Sequence, residues 1–212
     1  MSEELVFYTN PLSRGRMVRW MLEEVGEPYR TEVLDYSAMK DPAYLAINPM
    51  GKVPALTHGR ETVTECAAIC VYLADAFPEA ALAPPVRDPQ RAAYYRWLFF
   101  AAGPVEAAVT NKAAGFEAPP ERARMLGYGT YASTMDTLEK AVSDGYLAGN
   151  RFSAADLYVG SHINWGMRFG TLEKRPAFER YVALLVSRPA YLRANEIDDK
   201  LAAQMQGGAQ GR

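Results

Sequence analysis

Two short segments carry residues whose types and spacing suit recognition of a charged, extended peptide. The first is Asn48-Pro49-Met50-Gly51-Lys52-Val53-Pro54-Ala55-Leu56; the second, Glu65-Cys66-Ala67-Ala68-Ile69, begins eleven residues beyond Pro54. A proline removes one backbone donor and fixes φ, so Pro54 belongs at the mouth of a strand. The Val53–Pro54 bond is expected to be cis, bending the chain so that the N–H and C=O of Val53 face outward. An extended peptide pairs with such a backbone as an added strand. Glu65, leading a helix, supplies an acid for the charged end of that peptide. Taken alone, proline and glycine punctuation marks an ordinary loop; the spacing to Glu65 sets this one apart.

Composition narrows the chemistry. The chain has 212 residues, 49% of them apolar and 23% charged, with a formal net charge of −2. These are values of a water-soluble globular protein, and no basic field argues for nucleic acid or an anionic membrane. Cys66 and Cys70 lie four apart on one predicted helix, which is no disulfide framework. With only His58 and His162 beside them, a zinc site lacks ligands, so no metal is expected. The acidic start Met1-Ser2-Glu3-Glu4 has no signal-peptide core, and no apolar run reaches the roughly 18 residues of a membrane span. A cytoplasmic protein is the expectation.

The elements that must position these residues change character along the chain. Residues 1–80 alternate strand and helix patterns. Leu5–Tyr8 reads as a strand, and Met17, Trp20, Met21 and Val25 recur at helical spacing up to a Gly26 cap. Tyr29–Leu34 reads as a strand and Asp41–Ile47 as a short helix. Val53–Thr57 and Glu61–Thr64 form a hairpin around His58-Gly59-Arg60, and Glu65–Phe77 is a helix closed by Pro78. The order βαβαββα combines one parallel crossover with a terminal hairpin. Prolines mark a linker at 79–87. Beyond it, helical patterns run over about 88–112, 119–145, 153–168, 175–187 and 189–205. An α/β domain at 1–80 and an all-α domain at 88–205 follow. Within the latter, Phe152-Ser153-Ala154-Ala155-Asp156-Leu157 reads as a capping box opening a buried helix, with Asp156 in the N3 position.

The Met50–Pro54 turn, the Glu65-led helix, the proline linker and the Phe152–Asp156 box, in this order over nearly the whole chain, resemble the cytosolic glutathione transferase family in its bacterial type. The resemblance implies a thioredoxin-like N-terminal domain that binds glutathione. It also implies a helical bundle that receives a small hydrophobic electrophile, and a homodimer. Val53 would pair with the cysteinyl unit of glutathione, Glu65 and Cys66 would meet its γ-glutamyl end, and Lys52 would reach its glycyl carboxylate. Cys66 stands where the family has a serine, and a thiol is the weaker donor.

Glutathione supplies the nucleophile, so the protein's task is to favour its thiolate. By resemblance the activating group is a Tyr, Ser or Cys at the end of the first strand or the start of the first helix. Ser13 occupies that slot, with plain helix capping as its other role; Tyr8 is the second candidate, and Asn10 or backbone amides near Leu12 and Ser13 the third. Arg14 or Arg16 adds positive charge there or pairs with an acid of a later helix. The absence of cysteine from positions 10–16 argues against dithiol reduction. Glutathione-dependent peroxidase activity and a non-catalytic glutathione-binding module are the competing functions.

Overall fold

The structure, a computed structural model, describes residues 3–116 and 118–209. They form two compact units: residues 3–82 together with 188–209, and residues 83–187 apart from 117.

The first unit is built on a four-stranded sheet in the order β2-β1-β3-β4. Its strands are β1 (Leu5–Thr9), β2 (Arg30–Val33), β3 (Ala55–His58) and β4 (Glu61–Thr64). The β1–β2 pair is parallel, with helix α1 (Gly15–Val25) as its crossover, and β3 and β4 add antiparallel. Helices α2 (Pro42–Leu45) and α3 (Cys66–Ala76) complete the expected βαβαββα order. Side chains alternate along β1. Phe7 is fully buried beneath Arg19 of α1, while Tyr8 turns to the other face and packs with Met39, Tyr44 and Ala55.

Gly15 shows why α1 begins where it does. A Cβ at this position would lie 2.0 Å from Thr9 Oγ1 and 3.1 Å from Ser13 Oγ, so the helix start approaches the strand end through the missing side chain. Gly15→Ala is therefore expected to cost about 1–3 kcal/mol, read as a lowered thermal or urea midpoint, because the short, fully buried Thr9 side chain must shift to admit the methyl group.

The last helix of the chain, α9 (Pro189–Ala209), groups with this first unit and not with the helices that precede it. That differs from a single helical body over residues 88–205, and side chains on α1 explain it. Arg19, 1% exposed, lies 3.1 Å from Asp198 of α9, stacks on Phe7 and Tyr29, and donates to the Tyr29 hydroxyl at 3.1 Å and to Thr31 Oγ1 at 2.8 Å. Burial pushes the Tyr29 phenol up to about 12, and it donates in turn to Glu23 at 2.7 Å. Around this centre Arg16 pairs with Asp199, Arg193 with Glu23 and Arg188 with Glu24, while Trp20 meets Tyr191 edge-on. A buried guanidinium must be paired, and the carboxylate that pairs with Arg19 belongs to the last helix.

The second unit is helical: α4 (Gln90–Phe100), α5 (Glu106–Ala113), α6 (Tyr131–Val142), α7 (Ala154–Phe169) and α8 (Pro176–Val186). The helical pattern over 88–112 is continuous but passes through a π-helical turn at Ala101–Val105 that contains Pro104. A proline ring clashes with the carbonyl four residues back in a regular α-helix, and the wider turn relieves that clash. A single helix over 119–145 is corrected. A short 3₁₀ segment at Pro120–Met125 is followed by a break holding Gly127 and Gly129, the latter at φ 67°, and α6 starts afresh at a Thr130–Ser133 capping box.

Helix α7 begins at the box expected from Ser153 and Asp156. Asp156 is fully buried and accepts from Ser153 N–H at 2.9 Å, Ser153 Oγ–H at 2.7 Å, Leu147 N–H at 2.8 Å and the Tyr181 hydroxyl at 2.7 Å. Burial pushes its carboxyl above the usual range, against the pull of those four donors.

Candidate functional site

The sheet register brings the chemistry-bearing segments to one edge of the first unit. Tyr8 pairs with Ala55, and Ala55 pairs with Thr64. The loop leaving β1 (Asn10–Arg14), the residues entering β3 (Val53–Pro54) and those leaving β4 (Glu65–Cys66) therefore emerge at the same end of the sheet. A direct contact ties two of them: the Cys66 thiol approaches the carbonyl oxygen of Arg14 at 3.7 Å.

The segment before β3 is shaped by Asn48, a buried residue that sequence reading left without a role. Its carbonyl accepts from Gly51 N–H at 2.8 Å, its Oδ1 accepts from Met50 N–H at 3.1 Å, and its Nδ2 donates to Lys52 O at 2.8 Å. Gly51, at φ 58°, turns where a Cβ would meet Met39 O at 2.8 Å. Tyr44 donates its hydroxyl to the same Lys52 carbonyl at 2.6 Å, and burial, aided by nearby Tyr8, pushes its phenol up to about 12. The carbonyl just before Val53 is thus doubly held. Val53–Pro54 is cis, and Val53, half-buried, uses neither its N–H nor its C=O in a hydrogen bond to another described residue. Lys52 is exposed and forms no ion pair with a described residue.

Glu65 is exposed and stands at φ 67°, ψ 122°, in the half of backbone space that residues with a Cβ rarely enter. Its backbone carbonyl starts α3 by accepting from Ile69 N–H at 2.9 Å, while its carboxylate makes no capping bond. Strain of this kind costs on the order of 1–3 kcal/mol and concentrates at working sites. Here it falls on an exposed acid whose carboxylate does not cap the helix it begins. Cys66, 8% exposed, follows as the first residue of α3, and no acid lies in that helix's first turn to compete for an anion.

The loop after β1 is organised by Asn10, which is 1% exposed. Its Nδ2 donates to Leu34 O at 2.8 Å, its Oδ1 accepts from Leu12 N–H at 2.9 Å, and its carbonyl accepts both Ser13 N–H at 3.0 Å and Ser13 Oγ–H at 2.7 Å. Ser13 Oγ accepts from Gly15 N–H at 3.0 Å. The amides of Leu12 and Ser13 are therefore occupied within the loop. Ser13, half-buried, keeps a hydroxyl that can change partners. Tyr8 ends in the cluster with Met39, Tyr44 and Ala55, its ring 5.8 Å from that of Tyr44, close to Val53. Arg14 is exposed, whereas Arg16 is drawn toward α9. Among the described residues there is no group of three metal-ligating side chains and no helix long and apolar enough to cross a membrane.

Comparison with known proteins adds to this geometry. The family model for the glutathione S-transferase N-terminal domain matches residues 13–76, and that for the C-terminal domain matches residues 117–189. A glutathione S-transferase of Xanthomonas campestris pv. campestris is 30% identical over 77% of this chain and 83% of its own length. A maleylacetoacetate isomerase of Pseudomonas aeruginosa is 30% identical over 77% of this chain and 80% of its own. Among solved structures, a sphingomonad glutathione S-transferase complexed with glutathione superposes at a TM-score of 0.73, with 28% identity over 92% of this chain and 98% of that one.

Proposed function

The chain belongs to the glutathione S-transferase family and is an enzyme of that class, and from this premise we propose that it joins the glutathione thiolate to small hydrophobic electrophiles, as a cytoplasmic homodimer of detoxifying type. The observation that carries the reading is the open backbone of Val53 at the same sheet end as the exposed carboxylate of Glu65. A peptide pairing with Val53 N–H and C=O directs its γ-glutamyl end to α3. There Glu65 meets the ammonium, and the free N–H groups at the helix start meet the α-carboxylate. Lys52 serves the glycyl carboxylate. Cys66 supports the helix start through its contact with Arg14 O and leaves the work of anion binding to backbone N–H groups.

Activation falls to Ser13. A free thiol with a pKa of about 8.5 is only a few per cent ionised at neutral pH, and lowering it by two units takes roughly 2.7 kcal/mol of selective thiolate stabilisation. The Ser13 hydroxyl proton already rests on Asn10 O at 2.7 Å. Turning to the thiolate exchanges a neutral hydrogen bond of about 1 kcal/mol for a charge-assisted one of about 1.5–3 kcal/mol. The exchange favours the anion and leaves the neutral thiol alone. The N-terminus of α1, with no acid in its first turn, adds about 0.3–1 kcal/mol in the same sense. The thiolate attacks the electrophilic carbon, the C–S bond forms as the leaving group departs with its electron pair, and the thiol proton passes to solvent.

The acceptor in this reading is apolar. Calorimetric titration with glutathione, followed by turnover of an aryl halide, tests the reading. Saturable binding with glutathione-dependent formation of the thioether is expected. Binding without turnover would leave a glutathione-binding module, and absence of binding would overturn the assignment.

A further inference from the structure

We propose that Arg16 is a positioning residue for thiol activation, and that the C-terminal helix α9 holds it in place; the inference rests on the assignment of Ser13 above. Arg16 lies on the first turn of α1 and points back toward the loop that carries Ser13. Its Nε donates to Pro11 O at 2.6 Å, the shortest of its contacts. Its Nη2 meets Asp199 at 2.7 Å and its Nη1 meets Asn195 Oδ1 at 3.4 Å, both on α9. One planar group thereby joins the loop between β1 and α1 to a helix that lies 179 and 183 residues further along the chain.

Asn10 and Arg16 restrain the loop from opposite sides of Ser13. Asn10 holds it from the strand end, through Leu12 N–H and through its own carbonyl on Ser13. Arg16 holds it from the helix, through Pro11 O. Asn10 O is also the resting acceptor of the Ser13 proton. The position of the Asn10–Pro11 backbone therefore decides how readily the hydroxyl leaves that carbonyl for a thiolate. A guanidinium suits this task because its fork has donors pointing in fixed, divergent directions, so Nε and Nη bind different partners at once. An ammonium gathers its three donors on one nitrogen and lacks the spread of the fork that binds Pro11 O through Nε and Asp199 through Nη2. The guanidinium charge is met by Asp199, so Arg16 acts through the loop and not as a free positive field at the sulfur.

The α1–α9 seam contains a second ion pair that serves as a built-in comparison. Arg193 of α9 binds Glu23 at 3.2 Å at the far end of α1, away from the Ser13 loop. Arg16→Met, Arg16→Lys and Arg193→Met are compared with Ser13→Ala, reading the pKa of bound glutathione from thiolate absorbance and the kinetics of aryl-halide conjugation. For both Arg16 variants the bound thiol pKa is expected to rise by about half to one unit. In both, kcat near pH 6.5 falls about three- to tenfold while KM for glutathione stays within about twofold. Arg193→Met leaves pKa and kcat at their starting values, although it weakens the same seam. In the Ser13→Ala background, Arg16→Lys adds no further shift, because both act on one hydroxyl.

Full recovery by Arg16→Lys would show that charge alone is needed and would overturn positioning, as would an unmoved thiol pKa in both Arg16 variants while Ser13→Ala moves it. A loss confined to KM would make Arg16 a binding residue instead, and also overturns the proposal. If Ser13→Ala leaves the thiol pKa unmoved, the assignment of Ser13 fails and the proposal falls with it. Arg16→Lys retains charge and most of the side-chain stem, so it supplies the measurement even if Arg16→Met does not fold.

Discussion

Asp156→Ala is expected to lower the stability of the chain by roughly 3–5 kcal/mol, as much as emptying a large core side chain. The size follows from what is left behind. Leu147 N–H, Ser153 N–H and the hydroxyls of Ser153 and Tyr181 all converge on one carboxylate that is 0% exposed. A buried donor without an acceptor costs about 1–3 kcal/mol, and local relaxation recovers only part of the sum. The capping box alone accounts for about 1 kcal/mol. The remainder belongs to Leu147 and Tyr181, which pin the preceding loop and α8 to the head of α7. Urea unfolding supplies the measurement. Glutathione affinity of the folded variant should stay near that of the parent, and a loss of affinity at unchanged stability would move Asp156 from the frame of the fold to its ligand site.

Ser13→Ala carries the largest expected effect on chemistry. Glutathione should bind with little change, since the hydroxyl contributes little to the neutral thiol. The bound thiol pKa should rise by about one to two units, equivalent to about 1.4–2.7 kcal/mol. Conjugation at neutral pH then falls about ten- to a hundredfold and partly recovers as pH is raised through the new pKa. Tyr8→Phe is the companion measurement. If it raises the thiol pKa and Ser13→Ala does not, the phenol is the activating group. The Tyr8 hydroxyl makes no hydrogen bond to a described residue, and its ring lies in the cluster that packs around Val53, so the comparison is a real one.

What could be read from the sequence was what short-range rules determine. Pro54 announces its turn through a missing N–H and a fixed φ, and Ser153 and Asp156 announce a helix start through three-residue spacing. The parallel crossover and the terminal hairpin were legible in the order of strand and helix patterns, whereas the register that gathers Val53, Glu65 and Ser13 appears only in the folded sheet. The break between 126 and 130 was missed: Gly127 and Gly129 mark it, but the apolar positions on either side continue a helical period and concealed it. By contrast, nothing near Arg16 or Arg19 names its partner. Asp198 and Asp199 sit in a charged run, Asp198-Asp199-Lys200, that reads as a solvated helix face; one of the pair is 1% exposed and the other open to water. Asn48 and Asn10 look like turn residues, and only the folded loop shows each holding several backbone groups at once.

The return of α9 to the first unit has a bearing on how the chain comes off the ribosome. Arg19 is synthesised early, and the carboxylate that neutralises it in the interior, on Asp198, follows 179 residues later. Until that segment emerges, the nascent sheet and its first two helices must leave a guanidinium in water that the finished unit buries, and so cannot close completely. Completion of the first unit thus waits for the later segment, in contrast to a simple N-terminal-first assembly. A fragment cut at the linker near residue 82 would lack Asp198, Asp199 and Asn195, and with them both the counter-ion of its core and the brace on its reactive loop.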